Sequence, residues 1–473
     1  MIEFFNTLSG EQEPFSPLVP GEVGLYTCGP TVYDYAHIGN YRSYIFEDLL
    51  KRFLRFAGFR VRHVMNITDV DDKTIRGAGV QGVPLSVYTE PFIRAFFEDL
   101  QTLRISPADH YPRATDHIPE MIRIIRGLLE KGFAYRRDGS IYFSIAKFPG
   151  YGKLSKIDAE ELRTTARVES RIESDEYEKE SARDFALWKA PKENEPVWET
   201  EIGPGRPGWH IECSAMSTKY LGQTFDIHCG GVDNIFPHHE NEIAQSEAYF
   251  GAPFVRVWLH CHHLIVEGEK MSKSKGNFFT LRDLLGRNVD PAALRFLLLS
   301  THYRKVLNFT FEALEQARAG LQRIRDFIYE LENRPWTGGS NPDVASLLEE
   351  TKAKFIEGLS NDLNISSALT ALFELIKKIN ILIKKDQFLA NDAKSAAAFV
   401  YSLDQVLGVL PPEEVQFLSE ELTAKVRDRE RARKDKNFPL ADRIRLELAA
   451  AGVFLEDTKD GVRWKIDKTT GSR

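Results

Sequence analysis

The chain has 473 residues, 42% of them hydrophobic and 28% charged, with a formal net charge of -7. That length exceeds what one hydrophobic core usually serves, so roughly two to four domains are expected, and the acidic balance argues against a protein that coats nucleic acid nonspecifically while leaving room for a local basic face toward one RNA. No basic segment followed by a long apolar run opens the sequence and no stretch is apolar enough to span a bilayer, so cytoplasmic residence without a membrane is expected; Cys28, Cys213, Cys229 and Cys261 are too few for a disulfide scaffold.

Residues 23–28 read as a short strand that Gly29-Pro30 breaks. A helix fits 41–57, with Ile45, Leu49, Leu50, Phe53 and Leu54 on one stripe and Gly58 suited to its end. A strand over 59–67 completes a βαβ unit, which implies a parallel sheet with its ligand crevice at the strands' carboxyl ends. Asp69, Asp71 and Asp72 follow that strand and are read as helix-capping carboxylates rather than magnesium ligands. From about 116 the texture changes, first to a helix through Met121, Ile122, Ile125 and Leu128, then to a hairpin around Asp138-Gly139. Charge dominates 168–183, as expected of a solvated connector.

Residues 115–205 are therefore taken as an insertion between two halves of one α/β domain, 1–114 and 206–289. Gly203-Pro204-Gly205-Arg206-Pro207-Gly208 has the spacing of a dinucleotide-binding motif, but its two prolines should break the strand and helix that motif needs, so a turn-rich loop is expected, with Trp209 in it. Strand patterning resumes at 225–229. Asp290-Pro291 is a well-formed helix start, and 290–410 reads as a helical bundle with apolar stripes such as Leu363, Leu369, Leu372, Leu375 and Ile376. The end of the chain, 411–473, reads as a small α+β domain: a basic helix over 421–436, a second over 439–450, and a short hairpin.

His238 and Glu242, at i and i+4 in a helix starting near Pro237, share one face and can converge on one ion, although such a pair by itself is more often a surface or capping pair. Two thiolates, Cys28 and Cys213, would complete the N, O and S set that zinc prefers. His228, Cys229, His239, Cys261, His262 and His263 are alternative ligands, with Cys229 and Cys261 read as core thiols. Two further signatures stand far apart, His37-Ile38-Gly39-Asn40 and Lys270-Met271-Ser272-Lys273-Ser274.

Together, in this order, these two signatures resemble the ATP-handling elements of class I aminoacyl-tRNA synthetases. The stretches Tyr26-Thr27-Cys28-Gly29-Pro30-Thr31-Val32-Tyr33-Asp34, Gly208-Trp209-His210-Ile211-Glu212-Cys213-Ser214 and Pro237-His238-His239-Glu240-Asn241-Glu242 narrow the resemblance to cysteinyl-tRNA synthetases. The resemblance implies a Rossmann-like doubly wound parallel sheet with an inserted connective domain, a helical bundle and a small anticodon-binding domain. It implies one zinc ion per chain on Cys28, Cys213, His238 and Glu242, and magnesium accompanying ATP. A zinc-bound thiol ionises readily whereas an alcohol does not, so the metal would select cysteine over serine without a separate editing site. Catalytic roles are implied for His37, Asn40, Lys270 and Lys273, ATP contacts for His37, Gly39, Asn40, Gly231, Asp233 and Lys273, and amino-acid contacts for Thr31 and Trp209. Asn40 departs from the family's usual second histidine and puts an imidazolium role there in doubt. The implied activity joins L-cysteine to tRNA-Cys through cysteinyl-adenylate, in a monomer. Lys425, Arg427, Arg429, Arg431, Arg433, Lys434 and Lys436 would meet the RNA, and Phe438 and Trp464 could stack on its bases. Two rivals are a cysteine ligase acting on a small amino sugar, which would not need the basic tail, and a catalytically silent RNA-binding paralogue.

Overall fold

The computed structural model describes residues 1–157, 184–410, 420–451, 453–458 and 461–466; the charged connector expected at 168–183 falls outside them. The chain divides into two compact units, Met1–Leu410 and Pro411–Arg473.

Four parallel strands form the central sheet, in the spatial order Val255–Cys261, Phe225–Gly231, Glu22–Thr27, Arg60–Met65. The crossover between the last two is the helix Ile38–Phe56. It begins earlier than the apolar stripe suggests, because His37 caps it: His37 Nδ1 accepts from the Asn40 amide at 3.2 Å while Asn40 Oδ1 accepts from the His37 amide at 3.0 Å. Ile45, Leu49, Leu50, Phe53 and Leu54 are buried as the stripe requires, each stabilising the fold by about 2 kcal/mol relative to exposure. Beyond the second strand, Asp71 caps the helix Asp72–Gln81 by accepting from the Lys73 amide at 2.8 Å. Asp69 accepts from the Thr115 hydroxyl at 2.6 Å, and Asp72 pairs with Lys189 and Arg206, so each of the three carboxylates has a structural partner.

The helix Ile118–Glu130 and the antiparallel strands Ala134–Arg137, Ser140–Phe143, Phe185–Lys189 and Arg206–Pro207 share a second core. In it Met121, Ile122, Ile125 and Leu128 pack with Phe143, Leu187 and Trp188, and with Ile211 and Met216 from the next helix. Asp138 and Gly139 both take positive φ, 49° and 80°, as the hairpin turn needs.

The glycine- and proline-rich stretch is not simply a loop. Arg206–Pro207 pairs with Trp188 and Lys189, and the helix Trp209–Leu221 opens directly from Gly208. Proline is tolerated on a two-residue edge strand, and glycine can stand at a helix N-cap, so neither breaks these elements. Trp209 is accordingly the first residue of a helix. Gly208 is required by packing: a Cβ there would lie 1.9 Å from the Ala186 carbonyl oxygen.

Asp290 caps Pro291–Ser300 by accepting from the Ala292 amide at 2.9 Å. The long helices Phe311–Asn333, Pro342–Ser360, Ile365–Lys384 and Ala390–Leu407 follow. Leu369, Leu372, Leu375 and Ile376 lie buried on Ile365–Lys384, whereas Leu363 sits in the preceding turn at φ 55°. One apolar core runs from the sheet helix into this bundle. A hairpin of Glu3–Asn6 with Glu11–Pro14 and a helix Leu85–Thr102 were not anticipated. In the second unit, helices Glu420–Lys434 and Phe438–Ala450 accompany a hairpin of Val453–Thr458 with Gly461–Ile466, around Ile444, Leu448, Val453 and Leu455. Among the described residues no helix is long and apolar enough to cross a membrane.

Candidate functional site

Cys28 follows the strand Glu22–Thr27 at its carboxyl end, in the crevice that a parallel sheet leaves for ligands. Cys213 lies in the first turns of Trp209–Leu221, His238 in the short turn Ile235–His239, and Glu242 in the first turn of Glu240–Phe250. The ligand atoms of Cys28, Cys213, His238 and Glu242 all lie within 4.8 Å of one another. A tetrahedral zinc site with bonds of 2.0–2.3 Å has edges of about 3.3–3.8 Å, so modest contraction would close this set. Glu242 is fully buried, and its Oε1, 3.0 Å from His238 Nε2, makes no hydrogen bond among the described residues. A buried carboxylate oxygen beside two sulfurs and an imidazole nitrogen fits a divalent cation.

Cys28, His228, His239 and Glu242 form an overlapping group of the same tightness. Both extra histidines aim Nε2 at a donor of the first group. His228 Nε2 lies 3.0 Å from Glu242 Oε2, and its ring stacks on Trp258 at 4.5 Å. His239 contacts Cys28 Sγ at 3.2 Å through Nε2 and His260 at 2.8 Å through Nδ1, and His260 reaches the Thr7 hydroxyl at 2.7 Å. His238, by contrast, is oriented by His210 on Nδ1 at 2.9 Å and turns Nε2 toward the cluster. Such outer partners fix the tautomer and aim of metal-ligating side chains. His228 and His239 are among the alternative ligands expected from the sequence, whereas the parts played by His210 and His260 emerge only in the fold. The run of histidines at 238 and 239 was the available signal; which nitrogen faces which neighbour is set by tertiary packing.

Burial alone would raise the Glu242 carboxyl, but the imidazoles of His228 and His238 hold it at about 2. Burial would lower His238, and Glu242 and Cys213 lift it to about 10. The Cys28 hydrogen bond brings the Cys213 thiol down to about 6 against the effect of burial. Burial keeps His260 neutral, near 3, and pushes His239 below the usual imidazole range together with its histidine neighbours. Glu242 and Cys213 are thus the anionic members of the group, opposite a protonated His238, and the neutral rings of His239 and His260 pack behind them. Trp209, 39% exposed, stacks on His238 with centroids 4.3 Å apart and stands at the mouth. Cys229 and Cys261 are fully buried, and burial pushes both thiols up, Cys261 to about 11.

The two signatures meet. Ile38 donates its amide to the Phe279 carbonyl at 2.9 Å, His37 forms an isolated antiparallel bridge with Thr280, and its ring meets Phe278 edge-on at 5.2 Å. Lys270 is exposed at the end of Glu269–Lys270, and Lys273 opens the turn Lys273–Lys275. Gly231 ends the strand Phe225–Gly231, and Asp233 follows with its side chain 71% exposed, 3.8 Å from His263 Nδ1. Thr31, half-buried, bridges in parallel to Thr68 just beyond Cys28.

Residues 14–319 match the family model described as the tRNA synthetases class I (C) catalytic domain, 354–411 match the DALR domain, and 417–464 match the cysteinyl-tRNA ligase anticodon binding domain. The chain is 52% identical over 474 residues to the cysteine–tRNA ligase of Chlamydia muridarum (strain MoPn / Nigg), covering 98% of each. It is 49% identical over 466 residues to that of Solibacter usitatus (strain Ellin6076), covering 98% of this chain and 99% of the relative. Among solved structures, Mycobacterium tuberculosis methionyl-tRNA synthetase in complex with methionyl-adenylate superposes with a TM-score of 0.59 at 17% identity, covering 82% of this chain and 90% of that one; at this identity the likeness shows the fold alone.

Proposed function

The chain belongs to the class I cysteinyl-tRNA synthetases, and from that premise we propose how its residues divide the work. It is a ligase that joins cysteine to tRNA with consumption of ATP. Cys28, Cys213, His238 and Glu242 would hold one zinc ion, which when bound would favour the thiolate of L-cysteine over the alcohol of serine. Trp209 and Thr31 border the amino-acid pocket and exclude water from it.

Activation is attack of the cysteine carboxylate on the α-phosphate of ATP, giving cysteinyl-adenylate and pyrophosphate, so the protein supplies position and charge rather than a covalent nucleophile. Because His37 Nδ1 accepts from the Asn40 amide, its neutral ring carries the proton on Nε2 and can donate to a phosphate oxygen. Asn40 acts through this cap, which needs no imidazolium. The helix N-terminus behind Gly39 adds favourable potential for phosphate, Gly231 and Asp233 take the adenosine, and Lys270 and Lys273 neutralise the triphosphate, with magnesium accompanying ATP. The 3'-terminal ribose hydroxyl of tRNA-Cys then attacks the acyl carbon.

In this reading 1–114 and 206–289 form the catalytic domain, 115–205 the insertion, 290–410 the stem-contact and bundle region and 411–473 the anticodon-binding domain, in a cytoplasmic monomer. The observation that supports it best is the gathering of four donor atoms within 4.8 Å at the carboxyl end of a parallel sheet. Purified protein is expected to contain one zinc per chain and to exchange pyrophosphate into ATP only with cysteine present. Full exchange in metal-free protein would overturn the metal's role, and transfer to an amino sugar instead of tRNA would overturn the acceptor.

A further inference from the structure

Gly39 in the first signature touches Met271 in the second. A Cβ built on Gly39 would lie 2.8 Å from Met271 Cε and 2.9 Å from the His37 ring, so the methionine methyl lies against the bare backbone of the helix's first turn. Met271 is partly buried and packs on the core that contains Ile38, Phe279 and Leu281.

The rest of the loop explains why this contact matters. Its rear end is fastened to the first signature by the Ile38 to Phe279 hydrogen bond and by Phe278 against His37. Its middle is closed on itself: Ser272 donates its amide to Asn277 Oδ1 at 2.8 Å, Asn277 Nδ2 donates to the Lys270 carbonyl at 3.2 Å, and the Ser272 and Ser274 hydroxyls lie 2.7 Å apart. Its front end pairs with Leu264–Val266 through only two positions, Glu269 and Lys270. Both of those residues are exposed, so Met271 is the first side chain on that side to reach the core.

We propose that Met271 is a positioning residue for adenylate formation: its side chain, seated on Gly39, holds the front end of the lysine-bearing loop against the helix N-terminus that receives the phosphates. The seat is shaped by the missing side chain at position 39 and by the flexibility of an unbranched thioether that can follow a backbone contour. Its contacts with Gly39 and with the core around Ile38 and Phe279 lie at the two signatures, so its loss is expected to act on the nucleotide half of the reaction. This inference rests on reading both signatures as ATP elements.

The test is a double-mutant cycle in the full-length enzyme, read by single-turnover adenylate formation with titrations of ATP and of cysteine. Wild-type protein is assayed first; absence of cysteine-dependent pyrophosphate exchange there would defeat the functional reading, not this one. With wild-type activity in hand, Met271→Ala is expected to lower the rate of adenylate formation roughly tenfold, with cysteine affinity unchanged. Met271→Leu, of similar volume, is expected to restore most of it. Gly39→Ala should be impaired, and adding Met271→Ala to it should cost much less than Met271→Ala costs alone, because the contact is already lost. A wild-type rate for Met271→Ala, multiplicative losses in the double variant, or an equal loss of cysteine affinity would each overturn the proposal.

Discussion

The residues of the proposed metal site were legible unequally. The spacing of His238 and Glu242 puts them on one face but suits a surface or capping pair equally well, and Cys28 and Cys213 join them only through family motifs, since nothing local shows that two thiols so far apart in sequence converge. The surrounding histidines were beyond reach because tertiary packing alone chooses the neighbours of a buried imidazole, as it does for the neutral rings of His239 and His260. Replacing Cys213 by serine is expected to lose zinc and serine rejection together, measured by metal analysis and by adenylate formation with each amino acid; full zinc content with normal rejection would contradict the ligand assignment. At position 40, where the resemblance leads one to expect a second histidine, the asparagine completes a helix cap. Asn40→Ala should cost about 1 kcal/mol of stability in urea unfolding and slow adenylate formation, while Asn40→Asp, which keeps the accepting oxygen, should retain most of the stability.

Among elements, the strands and helices with clean apolar stripes were readable, whereas elements at the margins were not. The helix Leu85–Thr102 contains Pro91, a residue that reads as a break, and Glu11–Pro14 carries no buried side chain to mark it as a strand. The decoy glycine stretch misled in the opposite direction: neighbours made a strand pair and a helix cap from residues whose local preferences point to a loop. Where sequence and packing agree the consequence is measurable. Asp290 caps its helix and also pairs with Arg325 at 2.9 Å, so Asp290→Ala should destabilise by about 1–2 kcal/mol in chemical unfolding.

For the whole molecule, a fully buried ion pair joins the sheet helix to the bundle. Asp48 lies 2.6 Å from Arg295 Nη2 and 2.7 Å from Arg52, and Arg295 also donates to the carbonyls of Leu103 and Leu407. Burial would raise the Asp48 carboxyl, but the two guanidinium groups hold it below the ordinary carboxylate range. A depressed carboxylate contributes stability above its unfolded pKa and loses it as pH falls through the folded value. Asp48→Asn, which leaves Arg295 buried without its counter-charge, is therefore expected to cost about 3–5 kcal/mol near neutrality and to weaken the loss of stability on acidification; an unchanged acid profile would exclude Asp48 as a contributor.

That shared core sets where the protein can be cut. The domain proposed to handle the nucleotide ends near 289, yet the helix carrying Asp48 finds its partners beyond it, so a fragment stopping there is expected to expose an apolar face and aggregate. A chain ending at 410 retains the whole of the larger unit. The boundary that leaves a folded body intact is therefore 410: a chain shortened by its last sixty or so residues is expected to fold, whereas one that also lacks the bundle helices is not.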